Sequence, residues 1–129
     1  MEGRLSDMLE IELPFPPSVN SCWRAVRGRS ILSARGREYR ARAIRACHDC
    51  EVMDGPVSVK IYLYPPDRRR RDVDNYAKAI LDALVHAKVL KDDSLIDRLV
   101  IVRMPPEAGG RAVVRIYGGS FTRRAAGTR

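Results

Sequence analysis

Apolar and polar positions alternate along Met8-Leu9-Glu10-Ile11-Glu12-Leu13, the period of a strand with one buried face. Pro14, Pro16 and Pro17 end it, because proline brings no N–H to a ladder. The Arg- and Gly-bearing stretch Ser18 to Ile31 reads as a loop with Trp23 inside it. Ser33 stands where an N-cap would open a helix reaching about Cys50, closed by Asp54-Gly55-Pro56. Val57 to Tyr64 is rich in β-formers and predicts a second strand, stopped by Pro65-Pro66. Helical spacing returns at Ala77, Ile80, Leu81 and Leu84, so a second helix is predicted from near Asp72 or Asp74 to about Ala87. Leu99 to Met104 and Ala112 to Tyr117 read as two more strands, with Pro105 to Arg111 and its Gly109-Gly110 pair as the hairpin loop between them. The order β-α-β-α-β-β predicts an α+β fold, one mixed sheet of about four strands packed with two helices.

At 129 residues the chain is expected to form a single domain, 1–129, with a core that needs no disulfides. Residues 1–7 and 119–129 are expected to be flexible tails. The odd set Cys22, Cys47 and Cys50, without a signal-peptide pattern, argues against a secreted disulfide framework. No apolar run approaches ~18 residues, so no membrane partner and a cytoplasmic location are expected. The formal charge of +8 and a pI near 9.9 suit a polyanionic partner. Of 24 basic residues only Lys60, Lys78, Lys88 and Lys91 are lysine. Arginine forks match phosphate oxygens well, although coding bias would give the same excess.

Charge is most concentrated from Pro65 to Lys78, Pro-Pro-Asp-Arg-Arg-Arg-Arg-Asp-Val-Asp-Asn-Tyr-Ala-Lys. Arginines grip phosphate and clustered carboxylates hold hard divalent cations. A site that does both at once acts on a phosphodiester. Asp67, Asp72, Asp74, Asp82, Asp92, Asp93 and Asp97 are the acidic residues from 67 to 97, all of them aspartate. Asp74 and Lys78, four apart, share a helix face at the rim of the apolar stripe. Asp72, at the helix start, can turn toward the same cleft. The bland reading is an N-terminal cap at Asp72 and an ordinary ion pair between Asp74 and Lys78.

Lys91-Asp92-Asp93-Ser94 follows the second helix and can bring a third carboxylate to the same end. Its bland reading is a polar turn with a local cap. Spacing alone leaves Asp92 and Asp93 as alternatives. Two or three carboxylates are the usual protein share of a Mg2+ site, the rest being water and phosphate. The ion polarises phosphate and activates water, and Lys78 would neutralise charge on the transition-state oxygens.

Eight arginines and one acidic residue, Glu38, lie between Arg24 and Arg45, interleaved with Trp23 and Tyr39. The segment reads as a DNA-tracking surface with an aromatic available for stacking; the alternative is a solvated helix face with Tyr39 in the core. Cys47-His48-Asp49-Cys50 lacks a second pair at zinc-finger spacing, so buried thiols are expected. His86 is expected to be solvated. No lysine has an acidic residue two before it, which removes a Pro-Asp…(Asp/Glu)-x-Lys nuclease, and no Gly-Ser turn precedes Asp72 as a nucleotidyltransferase would need.

Pro65-Pro66-Asp67-Arg68-Arg69-Arg70-Arg71-Asp72-Val73-Asp74-Asn75, then Lys78, Asp82-Ala83-Leu84 and Asp92-Asp93, resembles the RusA family of Holliday junction resolvases. Leu13 to Asn20, Arg27-Gly28-Arg29 and Gly109-Gly110-Arg111 are similar to its opening turn and loops, so the likeness spans about residues 9 to 117. The resemblance implies a bacterial or phage-encoded, nucleoid-associated endonuclease. It implies a homodimer that binds four-way branched DNA and cuts two opposed strands with Mg2+, or Mn2+ in its place, and no nucleotide cofactor. By motif, Asp72, Asp74 and Asp93 match the catalytic, metal-binding aspartates and Lys78 the catalytic lysine. Arg71 matches a basic position that handles DNA. Arg68, Arg69, Arg70, Asn75, Asn20, Arg24, Arg27 and Arg29 complete the expected DNA-binding set. The reading requires Asp72, Asp74 and Asp93 to converge within a few ångströms. Its competitor is a non-catalytic basic dimer that binds branched DNA by shape.

Overall fold

The structure, a computed structural model, describes residues 8–122. In chain order the elements are strand β1 (Met8–Leu13), the one-turn helix α1 (Val19–Cys22), strands β2 (Trp23–Val26) and β3 (Arg29–Leu32), helix α2 (Ala34–Ala46) and strand β4 (Val52–Tyr64). A 3-10 turn (Val73–Tyr76) then leads into helix α3 (Ala77–His86), and a second (Asp93–Leu95) into strand β5 (Ile96–Arg103), before strand β6 (Arg111–Thr122). Four strands form one mixed sheet in the order β1-β6-β4-β5, with only the β4–β5 pair parallel. β2 and β3 make a separate two-stranded hairpin.

Strand periodicity decides which face of the sheet is covered. Val57, Val59, Ile61 and Leu63 of β4 point one way, with Ala112, Val114 and Ile116 of β6 and Ile11 and Leu13 of β1. Helices α2 and α3 close over that face through Tyr39, Ala43, Ala77, Ile80 and Leu84. Ile61, Ile80 and Leu84 are fully buried, and each contributes about 2 kcal/mol relative to exposure. Ser33 caps α2 through its hydroxyl, which accepts the Gly36 N–H at 3.0 Å. Gly36 is there because α2 crosses α1 closely: a Cβ at that position would sit 2.4 Å from the Cys22 carbonyl oxygen. Arg40 of α2 donates from Nε and Nη2 to Asp82 Oδ2 of α3 at 3.1 and 2.9 Å, tying the two helices together.

Five expectations are corrected. The loop expected from Ser18 to Ile31 contains a helical turn and the β2–β3 hairpin. Helix α2 stops at Ala46, four residues short of Cys50. Asp54-Gly55-Pro56 is a bulge inside β4, where Gly55 at φ 124 accommodates the register shift between Asp54 and Val57. Strands β5 and β6 are not a hairpin, since β4 lies between them. The parallel crossover through α3 puts β5 on one edge of β4, so the chain from Met104 to Gly110 must pass over the end of β4 to reach the other side. Its N–H groups donate to that end, Met104 to the Leu63 carbonyl and Glu107 to the Pro65 carbonyl, both at 2.8 Å. The tail expected from 119 is strand as far as Thr122; residues 1–7 and 123–129 lie outside the described residues.

Candidate active site

Pro65-Pro66 ends β4 and turns the chain into the arginine loop. Asp67 organises that loop. Its Oδ1 accepts the Arg69 N–H at 2.9 Å and Arg71 Nη1 at 2.8 Å. Arg71 Nη1 also donates to the carbonyls of Asp67 and Arg69, each at 3.2 Å, and its guanidinium lies 5.5 Å from the centre of the Phe15 ring. Arg103 donates to the Arg71 carbonyl. The Arg71 side chain is therefore only 7% exposed, a brace inside the loop, while Arg68, Arg69 and Arg70 are exposed. The bonds from Arg71 and then from Arg69 hold the Asp67 carboxyl below its ordinary range. The loop lines a cleft of about 450 Å3 with Phe15, Tyr76, Arg103 and Met104.

On the other side of Val73 is a depression of about 390 Å3 at the foot of α3, lined by Asp74, Lys78, Asp82, Asp92, Asp93 and apolar neighbours including Leu99 and Ile101. Its carboxylates divide into two kinds. Asp82 is taken by Arg40, and its Oδ1 lies 3.6 Å from His86 Nε2. Asp92 caps the second 3-10 turn, accepting from the Ser94 hydroxyl and N–H, which lowers its pKa. Asp74 and Asp93 accept no hydrogen bond and form no ion pair among the described residues. The Asp74–Lys78 ion pair of the bland reading is absent; Lys78 Nζ instead stands 4.7 Å from the centre of the Trp23 ring.

The expected convergence of Asp72, Asp74 and Asp93 within a few ångströms is not seen among the described residues. Asp74, Lys78 and Asp93 line one depression, whereas Asp72 lines the neighbouring arginine cleft. Asp72 is still extended, at φ −90 and ψ 125, and the turn begins only at Val73, so successive carboxylates are handed to opposite sides. Asp72 makes no capping hydrogen bond and, with four arginines just before it, no ion pair among the described residues. Among the described residues no three His, Cys, Asp or Glu side chains stand close enough together to hold a metal. The oxygen donors of Asp74 and Asp93 are of the kind Mg2+ takes, an ion that fills much of its shell with water and substrate phosphate rather than an all-protein cage.

The β2–β3 hairpin carries Arg24, Arg27 and Arg29, all exposed. Its two-residue turn has Arg27 at φ 52 and Gly28 at φ 74, the pattern of a type I′ turn. Asn or Asp favours the first of those positions; arginine there places a charge at the tip at some conformational cost. Asn20 is exposed on α1, and Asn75 is half-buried in the turn before α3. Tyr39 is not available for stacking: it is buried, and its hydroxyl donates to the Pro14 carbonyl at 2.8 Å. Cys22 and Cys47 are buried in the core, and desolvation pushes the Cys22 thiol up.

Sequence reasoning missed several contributors. A second hollow, of about 380 Å3, adjoins the arginine cleft and adds Arg35 and Arg42 of α2 to Arg69. Their spacing of seven on a helix was the available signal. Asp67 two residues before Arg69 is the pattern of an Asx turn. Arg103 had no local signal, because only the crossover brings it to the loop.

The sequence profile described as Endodeoxyribonuclease RusA matches residues 14–117. The chain belongs to the RusA endodeoxyribonuclease family. It is 41% identical over 109 residues to the crossover junction endodeoxyribonucleases RusA of Shigella sonnei and of Escherichia coli K12, covering 82% of this chain and 91% of each relative. The protein of the same name from Enterobacteria phage 82 matches with the same identity and coverage. The matched span includes the arginine loop, both aspartates flanking Val73, Lys78 and Asp93. Family membership makes the chain an endonuclease acting on phosphodiester bonds. No helix among the described residues is long and apolar enough to cross a membrane.

Proposed function

We propose that this chain is a Mg2+-dependent, structure-specific endonuclease that resolves four-way DNA junctions by paired symmetric nicks. The observation that carries the reading is that Asp72, Asp74 and Asp93 stay unpaired among the described residues of a strongly basic protein, with cationic side chains at hand. Carboxylates with no structural partner are free for a cation that arrives with phosphate. Asp92, bound to Ser94, and Asp82, bound to Arg40, are committed elsewhere.

Asp74 and Asp93 offer oxygen ligands from the depression, and Asp72 offers one from the cleft side of Val73. The metal, when bound, polarises the scissile phosphate and activates a water. Lys78 donates toward the charge that builds on the phosphate oxygens. Arg68, Arg69 and Arg70 hold the backbone on the rim, and Arg24, Arg27 and Arg29 reach phosphates farther along the arm. Asp67 and Arg71 act through these groups by fixing the loop.

A junction presents two equivalent strands, so paired nicks with ends that a ligase can seal call for two equivalent sites. The uncovered face of the sheet supports a two-fold homodimer. There Tyr62, Tyr64, Val100, Val102 and Val113 lie half-buried, with no helix of the described residues over them. Arg111 and Arg115 lie over Tyr64 and Tyr62, 4.1 and 5.2 Å from the ring centres. Mass measurement at micromolar concentration is expected to give a dimer; a strict monomer would remove paired incision.

The test is cleavage of a synthetic four-way junction with and without Mg2+, with the cut positions mapped on all strands. Symmetric nicks that require the ion support the resolvase. Tight binding with no product under any divalent ion supports a shape-reading binder instead.

A further inference from the structure

We propose that Trp23 is the positioning residue for Lys78, holding its ammonium at the rim of the acidic depression and joining that group to the arginine hairpin. The inference rests on the role given to Lys78 above.

Lys78 is exposed, on a flexible four-carbon stem, beside Asp74 and Asp93. Left to itself, such an ammonium would swing onto either carboxylate and occupy the oxygens a cation needs. It does not, and what it meets instead is the face of an indole, 4.7 Å from the ring centre. A cation over an aromatic face is attracted by the ring quadrupole without being neutralised. Its N–H donors stay free for phosphate oxygens, and the carboxylates stay free for metal.

Trp23 is suited to this by its own constraints. Its ring is half-buried against the core, its backbone N–H donates to the Val19 carbonyl, and it pairs with Leu32 at the base of the hairpin. Cys22, just before it, is buried, and Gly36 lets α2 lie directly against Cys22. The indole is thus anchored while the ammonium is not. The residue after it is Arg24, the first cation of the hairpin. Phosphate engagement along the arm and charge placement in the depression therefore share one side chain.

Trp23 is the single tryptophan of the chain, so its emission reports on this contact directly. In the free dimer without DNA, Lys78→Met is expected to change the intensity or wavelength of that emission; an unchanged spectrum overturns the contact. Single-turnover cleavage of a four-way junction with Mg2+ then tests its consequence. Trp23→Leu is expected to slow the chemical step about tenfold, with junction affinity within about twofold of wild type. Trp23→Phe and Trp23→Tyr, which keep an aromatic face, are expected to recover most of that rate. Equal rates for the Leu and Phe variants, or a defect in affinity alone, overturn the inference while leaving the proposed chemistry in place. Wild-type cleavage by Lys78→Ala overturns the role of Lys78 and this inference with it. The emission comparison keeps Trp23 intact, so it stands even where Trp23→Leu fails to fold.

Discussion

Two hollows divide the Asp72-Val73-Asp74 run, the first lined by Asp72 and Val73 and the second by Asp74, and they are built on opposite principles. In the arginine cleft Asp67 and Arg71 are spent on each other: Asp67 takes Arg71 and the Arg69 N–H, Phe15 backs the guanidinium, and Arg103 holds the Arg71 carbonyl. In the acidic depression Asp74 and Asp93 are left without partners among the described residues, and Lys78 lies over a ring rather than on a counter-ion. The first arrangement stiffens a loop so that Arg68, Arg69 and Arg70 face outward in fixed places. The second leaves capacity unused. A short motif of alternating sign thus makes both a rigid rim and a reactive hole, and the difference lies in which carboxylates find a partner at home.

Removing a partnerless carboxylate gives the largest effect. Asp72→Asn and Asp74→Asn are each expected to lower junction cleavage by about 10²–10³-fold while binding survives or tightens, since a charge that repels phosphate is removed. Wild-type turnover in either variant rejects the assignment. Breaking the rim acts differently. Asp67→Asn frees Arg71 and is expected to weaken junction binding severalfold, with the single-turnover rate at saturating enzyme nearly unchanged; a rate defect without an affinity defect would show that the two hollows do not divide the work this way.

Acid sharpens the same contrast. The Asp67 carboxyl is depressed in the fold, so its bracing is fully present above its unfolded value of about 4 and is lost as pH falls through the lower folded value. Protection of the Arg69 amide from hydrogen exchange is expected to fall in that range, and constant protection down to pH 2 would remove Asp67 as the brace. Smaller effects come from single cations. Replacing Arg69 or Arg70 by Gln is expected to reduce the salt slope of junction binding by about 1 each, whereas Arg71→Gln alters it through the loop shape. The smallest change is at the hairpin tip: Arg27→Asn is expected to raise stability by a few tenths of a kcal/mol by suiting the positive φ, and to reduce the salt slope by no more than about 1.

The sheet, both helices and the acidic motif were legible in the sequence because each rests on local signals. Alternation marks β1 and β4, helical spacing marks α3, and Ser33 marks the start of α2. The β5–β6 connection was not legible, because Gly109-Gly110 reports a turn and says nothing of which strand comes next to which. The hairpin arm hid among arginines because its short strands expose both faces from Arg24 to Ser30. At the site, spacing put Asp74 and Lys78 on one helix face but could not foresee that Asp72, one residue outside the turn, would line the other hollow. It left Asp92 and Asp93 as alternatives, and Ser94 bonds the first of them.

That last distinction offers the most direct test. Single-turnover cleavage of a four-way junction by Asp92→Asn and Asp93→Asn, measured side by side with Mg2+, is expected to leave the first within a few fold of wild type and the second without detectable product, both binding the junction. Equal activities, or loss in Asp92→Asn alone, would contradict the claim that the partnerless carboxylates are the ones that do the chemistry.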